Sequence, residues 1–328
     1  MLSADRAVGR PDERGAALLT VLLLVAVIAV MAGAMLEKLR LSTRLAANAA
    51  AAEQARSWAV AAEALAAVRV GDLLGRSPNR VTLVGGWSDR PFGLPLPGGG
   101  AATARVVDGG NCFNLNSLVV EASPGVYASD GEARGRFSRL MRYVGIPVQI
   151  ADQVAGSAAD WIDSDDQQQA GGAEDGRYTG QTVAYRTAGT LMADPSEMRA
   201  VAGMTPEVYA QLRPWVCTLP IAGASPINVN TLTPEQAPLL AMMAPDTLSV
   251  DTARGLLARR PLQGWSDANA VFAGTPNPPS ITGLAVTSQW FALRIDVIMP
   301  GTQLEERALI DARRLPVRLV SRQWGEDT

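Results

Sequence analysis

Ala16-Ala-Leu-Leu-Thr-Val-Leu-Leu-Leu-Val-Ala-Val-Ile-Ala-Val-Met-Ala-Gly-Ala-Met-Leu36 is the stretch on which the reading of this chain turns. It holds no charge and no proline, and Thr20 is its only hydroxyl. As an α-helix rising about 1.5 Å per residue it is ~31 Å long, enough to cross the hydrocarbon core of a bilayer. A core helix of a soluble protein normally keeps a polar stripe, and this one has none. A membrane-spanning helix over residues 16–36 is therefore expected.

The flanks add direction. Residues 1–15 are short and polar and end in Arg14-Gly15, directly against the apolar block. A secretory signal places its small-residue cleavage site after the apolar region. Here the processing-like junction, Gly15 and Ala16, lies before it, so cleavage there would leave the apolar run at the head of a long helix. Arg6, Arg10 and Arg14 precede the span while Lys38, Arg40 and Arg44 follow it, so the positive-inside rule does not set the orientation.

Beyond the span the helix is predicted to continue. Leu41, Leu45, Trp58 and Leu65 recur on a three-to-four spacing among Arg40, Arg44, Arg56 and Glu63. Thirteen of the 22 residues from 46 to 67 are alanine, the strongest helix former and small enough for close packing. Gly71, Gly75 and Pro78 are read as its end, giving one helix of roughly 50 residues. Val81–Val84 and Ala104–Val107 then read as short strands separated by a Pro/Gly-rich loop at 91–100. Residues 290–298, 306–310 and 317–320 alternate as strands do. The stretch between reads mainly helical, with starts at Asp194-Pro-Ser-Glu197, Thr205-Pro-Glu207 and Thr233-Pro-Glu-Gln236. The expected fold class is α+β: a long helix packed on an antiparallel sheet, with a large inserted α-helical domain. An internal echo, Phe113-Asn-Leu-Asn-Ser-Leu118 and Ile227-Asn-Val-Asn-Thr-Leu232, marks two similar exits from possible strands.

Composition excludes several chemistries. The 328 residues contain no histidine and carry a formal charge of −3. His-based triads and His-ligated zinc are thereby removed, and nucleic acid is not indicated as a partner. There is no P-loop, dinucleotide motif or GxSxG elbow. The chain is read as a non-enzyme, with a carboxylate-only hydrolase as a rival reading. The functional candidate is Asp160-Trp-Ile-Asp-Ser-Asp-Asp-Gln-Gln-Gln-Ala-Gly-Gly-Ala-Glu-Asp175, where Asp160, Asp163, Asp165, Asp166, Glu174 and Asp175 crowd around a Gln/Gly loop. Crowded carboxylates repel, and a hard divalent cation with oxygen ligands relieves that repulsion. Asp163, Asp165 and Glu174 fall at positions 1, 3 and 12 of an EF-hand-like count, although Gln168 stands where the turn glycine belongs and Gln167 where Asp or Asn is usual. Spacing alone leaves two readings open, a calcium site or an exposed acidic loop.

The layout of leader and apolar helix resembles a type IV prepilin or pseudopilin. Most pilins carry Glu at the fifth mature position, whereas here it is Thr20. That departure, together with Trp161-Ile-Asp-Ser-Asp165, Gly172-Ala-Glu-Asp175, Tyr178, Tyr185-Arg186, Met192-Ala-Asp194, Glu197-Met-Arg199, Gly203-Met-Thr-Pro-Glu207, Tyr209, Leu212-Arg-Pro214 and Ile227-Asn-Val-Asn-Thr231, resembles the minor pseudopilin K family of the type II secretion system. The resemblance implies a prepilin leader at 1–15 removed by prepilin peptidase, a transmembrane helix at 16–36 and a pilin-like spine helix with first strands at 37–128. It further implies an inserted α-helical domain at 129–280 and closing strands at 281–328. It places the protein in the bacterial inner membrane by a single pass, with its head in the periplasm and minor pseudopilins I, J and H as partners. It also implies that the acidic loop holds Ca2+. In an oxidising periplasm Cys112 and Cys217 read as one disulfide, and in a cytosolic chain as two buried thiols. Residues 227–272 also resemble the helix-hairpin-helix modules of DNA-uptake proteins, with Arg254, Arg259 and Arg260 as the basic cluster. The hairpin there lacks the glycines whose amides would hold a phosphate, which favours a scaffold use.

Overall fold

In the computed structural model, the described residues are 11–325 except 245–246, 276–277 and 279–280. Most of the expected leader, residues 1–10, lies outside them. Helix α1 (Pro11–Arg76) is continuous for 66 residues and runs straight through Gly15 and Ala16. Its apolar stretch is exposed on all sides, and it is the one described helix long and apolar enough to cross a membrane. Farther along, Ala55, Ala59, Ala62, Ala66, Val70 and Leu74 form a buried stripe at helical spacing. The helix passes Gly71, where Val70 and Leu74 are packed against the sheet, and ends at Arg76 between the expected breakers Gly75 and Pro78. Tertiary contacts hold the last turns where propensity alone would end them.

The remaining elements follow in chain order. Strands β1 (Phe92–Pro95), β2 (Ala101–Asp108), β3 (Phe113–Asn114), β4 (Val119–Ser123) and β5 (Val126–Ser129) precede helices α2 (Gly131–Tyr143), α3 (Val148–Ile162), α4 (Asp175–Thr179) and α5 (Pro206–Leu212). Then come β6 (Val216–Cys217), β7 (Ile227–Asn228), α6 (Ala237–Ala241), α7 (Val250–Ala258), β8 (Leu284–Ala285), β9 (Trp290–Met299), β10 (Thr302–Asp311) and β11 (Arg318–Trp324). The main sheet is antiparallel with order β1-β2-β9-β10-β11, so residues 109–289 are inserted between two adjacent strands.

Alternation makes one face of this sheet the floor for α1. Ala102, Ala104 and Val106 of β2, Leu293, Ile295 and Val297 of β9, and Ala308 and Ile310 of β10 are buried with the alanine stripe of the helix. Small residues on both sides let helix and sheet approach closely. A second core fills the insertion, where Phe137, Leu140, Val154, Ile162, Met198, Leu212, Leu240 and Leu256 are buried together.

Two local expectations fail. Residues 81–84 form no strand: Val81 makes one backbone bond to Val286 and its carbonyl accepts from the Asn228 side chain, which is not a ladder. The supposed loop at 91–100 instead contains β1, paired to β2 from Phe92↔Ala104 to Pro95↔Ala101. As an edge strand, β1 can accommodate Pro95, and the Arg69 guanidinium covers Phe92 at 4.0 Å from the ring centre.

Candidate metal centre

The acidic segment leaves the C-terminus of α3, whose C-cap is Asp163. Asp160, in the last turn, is fully buried, and both its oxygens accept from the Gln169 amide at 3.1 and 3.3 Å. The following loop folds back against the helix at two glycines. A Cβ on Gly172 would fall 2.0 Å from Asp160 Oδ2, and one on Gly156 would fall 2.8 Å from the carbonyl oxygen of Ala170. An edge-on cluster of Trp161, Tyr178 and Tyr185 closes the other side, with Trp161 and Tyr178 centred 5.5 Å apart. Tyr178 is anchored in turn because its hydroxyl accepts from the Ala202 amide.

This folding brings Asp163, Asp165 and Glu174 together, each offering a carboxylate oxygen within 4.8 Å of the others. Asp163 is 2 % exposed, and neither of its oxygens has a hydrogen-bond partner; Glu174 Oε1 is buried and equally without one. Burial, then repulsion from Asp160, Asp165 and Glu174, pushes the Asp163 carboxyl up to about 7. Burial, then Asp160, Asp166, Asp165 and Asp175, does the same to Glu174, also to about 7. Arg134 of α2 acts in the opposite sense on Asp163 and is outweighed. Buried carboxylate oxygens lacking donors are costly unless a cation or a proton joins them. The donor set is all oxygen, which suits calcium and not zinc, and the remaining positions of a six- to eight-fold shell can come from water or backbone carbonyls.

The other sequence candidates divide. Asp160 lies beside the trio but is committed to the Gln169 amide. Asp166 is exposed and acts on Glu174 through its charge. Asp175, expected as a ligand, is turned the other way. It accepts from the Thr187 amide at 2.9 Å, the Thr187 hydroxyl at 3.0 Å and Arg186 at 3.0 Å, which holds its carboxyl below the usual range. It is the first residue of α4, directly after the N-cap Glu174.

Cys112 and Cys217 are joined, with Cα atoms 5.8 Å apart, beside the parallel pairing of β3 with β6. The echoed Asn-x-Asn pairs work alike. Asn114 and Asn228 each accept from the amide two residues on, at Asn116 and Asn230. Asn116 then clasps the backbone of Met192 from both sides, and Asn230 does the same to Trp265. The repeat was visible in the sequence, but the segments it fastens, 76 and 35 residues away, were not.

In the 227–272 region the three arginines are engaged within the chain. Arg254 pairs with Asp251, Arg259 donates to the Gly255 carbonyl and Arg260 to that of Leu232. Leu239, Leu240, Leu256 and Leu257 of the two helices are buried in the insertion core.

A membrane-spanning helix that continues as the spine of an antiparallel sheet, with its head built outward from that sheet, defines a pilin-like anchored protein. Two family models described as type II secretion system protein K match residues 111–221 and 227–294. The chain is 32% identical over 332 residues to the type II secretion system protein K of Pectobacterium carotovorum subsp. carotovorum, covering 96% of this chain and 98% of that one. It is 36% identical to the Aeromonas hydrophila protein of that name over 86% of this chain and 88% of the relative. A chain in the crystal structure of the GspK-GspI-GspJ complex from enterotoxigenic Escherichia coli superposes with TM-score 0.73 at 30% identity, covering 84% of this chain and 97% of that one. The chain belongs to the type II secretion system protein K family, the structural minor pseudopilins. Neither the DNA-uptake nor the hydrolase reading finds support in these matches.

Proposed function

We propose that this protein is a minor pseudopilin at the tip of the type II secretion pseudopilus. There it supports assembly of the fibre and secretion across the outer membrane. The observation that carries this reading is the likeness of most of the chain to a chain of the GspK-GspI-GspJ complex. The apolar half of α1 anchors the protein in the inner membrane among the helices of other pseudopilins, and the bulky insertion projects into the periplasm and caps the fibre. Minor pseudopilins I, J and H are its partners. Mixing the full chain in detergent with its cognate I and J proteins and sizing the product tests this. A stoichiometric complex is expected, and a lone monomer in every mixture would overturn it.

Maturation is part of the same reading. Prepilin peptidase cuts between Gly15 and Ala16, and Gly15→Leu is expected to leave the leader attached and stop assembly. An intact residue 1–15 segment on assembled wild-type protein would sink this step.

The acidic centre is proposed to hold calcium through Asp163, Asp165 and Glu174. Its chemistry there is charge neutralisation, not catalysis. The support is the set of buried carboxylate oxygens without donors. The carboxylates fasten the 163–174 loop to the end of α3, which keeps the insertion rigid for docking.

A further inference from the structure

Glu306 lies in the middle of β10, points at the spine helix and is fully buried. Neither of its carboxylate oxygens has a hydrogen-bond partner. Arg322 of β11 is the nearest cation, with Nε 3.4 Å from Oε1. That guanidinium is already engaged: Nε and one terminal nitrogen each donate at 2.8 Å to the two oxygens of Glu63 on α1. A forked contact of this kind uses the strongest geometry an arginine has. Two carboxylates and one guanidinium therefore meet in a mostly dry seam, and they come from the spine, the fourth strand and the last strand of the sheet.

Among the described residues, Glu63 and Arg322 are the charges that act on Glu306, and the other charged side chains of the neighbouring strands face away. On β9 the residue opposite Glu306 is Ile295. The charged neighbours Arg294, Asp296, Glu305 and Arg307 alternate onto the other face, where they pair among themselves, Arg294 with Glu305 at 3.0 Å and Arg307 with Glu305 at 3.0 Å. On β11 the residue paired with Glu306 is Trp324. The remaining way to neutralise the site is a proton on Glu306.

We propose that Glu63, Glu306 and Arg322 form a proton-dependent lock between the spine helix and the last two strands, closed while Glu306 holds its proton and weakened when that proton leaves. Burial, then the neighbouring Glu63 carboxylate, push the Glu306 carboxyl from its ordinary 4.5 up to about 8, against the pull of Arg322. The sign follows from that direction. The folded protein keeps a proton that the unfolded chain releases, so this contribution is fully present below about 4.5 and is lost as pH rises towards about 8. Above that, two anions share one guanidinium, and the spine and β11 part more readily. The lock lies outside the membrane span and is far in sequence from the acidic loop, so its titration is separable from metal binding.

The test uses the full chain in detergent with excess calcium, which holds the acidic loop in one state. Unfolding of wild type and Glu306→Gln is followed from pH 5 to 9. Relative to the variant, wild type is expected to lose up to tenfold in its folding equilibrium constant per pH unit between about 5 and 8, then level off. Hydrogen exchange of the β11 amides, compared between the two proteins at equal pH, is expected to be faster in wild type at pH 8.5. A flat difference across the range overturns the proposal. Should Glu306→Gln fail to fold, Glu63→Gln removes the repelling partner and is expected to move the fall to lower pH. An unmoved fall in that variant equally overturns the lock.

Discussion

The insertion and the pilin-like sheet both bury carboxylates that have no hydrogen-bond donors, and they compensate them differently. In the insertion, Asp163 and Glu174 crowd with Asp165, and Arg134 does not offset the burial. In the sheet seam, Glu63 and Glu306 have Arg322 built in, and a single proton completes the balance. The difference is in what each site requires from outside. The sheet carries its countercharge on its own last strand and so closes when the chain folds. The loop leaves buried oxygens of Asp163 and Glu174 without donors, and the divalent cation proposed there would supply the missing countercharge. A seam that joins the spine to the head suits a fixed countercharge, and a surface loop can rely on one from the medium.

The largest effect that would break this comparison is the metal response. With chelator as reference, calcium at a hundred to a thousand times its dissociation constant is expected to stabilise the full chain by about 2.7–4.1 kcal/mol at neutral pH. Magnesium is expected to do less, since it prefers a tight octahedron and keeps its waters. Asp163→Asn with Glu174→Gln should remove the calcium response. Identical melting in calcium and chelator would make the trio a solvated acidic loop.

Next in size is Arg322→Ala. Removing the built-in cation strands Glu63 and Glu306, and breaking a buried ion pair costs about 3–5 kcal/mol. About a third of the Arg322 side chain is exposed, so a loss of about 2–3 kcal/mol is expected. The calcium response of this variant should equal that of wild type. A changed response would mean that the two sites are coupled and the contrast between them is false.

A smaller effect distinguishes proton from metal at the loop. Asp163 and Glu174 are raised from 3.8 and 4.5 to about 7, so the metal-free fold retains protons that the unfolded chain sheds. In chelator, stability is expected to fall by about 1–2 kcal/mol between pH 5 and 7, since Glu174 is partly exposed and solvent screens part of the effect. Calcium binds the ionised carboxylates, so its stabilisation should grow over the same interval. Unfolding curves at pH 5 and 7, each with and without calcium, measure this. A calcium effect independent of pH would locate the ion elsewhere.

These sites were not equally legible in the sequence. The anchor follows from an apolar run with no polar stripe, and strands β9 and β10 from periodicity, because burial of one face writes alternation directly into a strand. The convergence of Asp163, Asp165 and Glu174 was also present, since the 1, 3 and 12 count over 163–174 selects the three carboxylates that come together. The lock was hidden because Glu63 and Arg322 are 259 residues apart and meet through sheet register, which no local pattern encodes. Strand β1 was hidden for a different reason. Its Pro and Gly are turn-forming in isolation, and an edge position beside β2 overrides that preference.

Asp175 provides the smallest and most discriminating test, because it stands next to Glu174 in the chain and belongs with the other kind of site. Its carboxylate has its own donors, Thr187 and Arg186, much as Glu63 has Arg322. Those donors depress its carboxyl, whereas burial and repulsion raise that of Glu174. A calcium ligand at this position would have to give up three hydrogen bonds to turn inward. Asp175→Asn is therefore expected to loosen the 185–187 segment, with faster hydrogen exchange at Thr187 and a small loss of stability, while leaving calcium affinity within about twofold. Glu174→Gln should do the reverse, weakening calcium by tenfold or more and leaving Thr187 exchange unchanged in chelator. Calcium titrations of the two variants against wild type, with exchange measured at Thr187, separate these outcomes. Equal losses of affinity in both would return Asp175 to the metal shell and show that the loop rearranges when the ion binds.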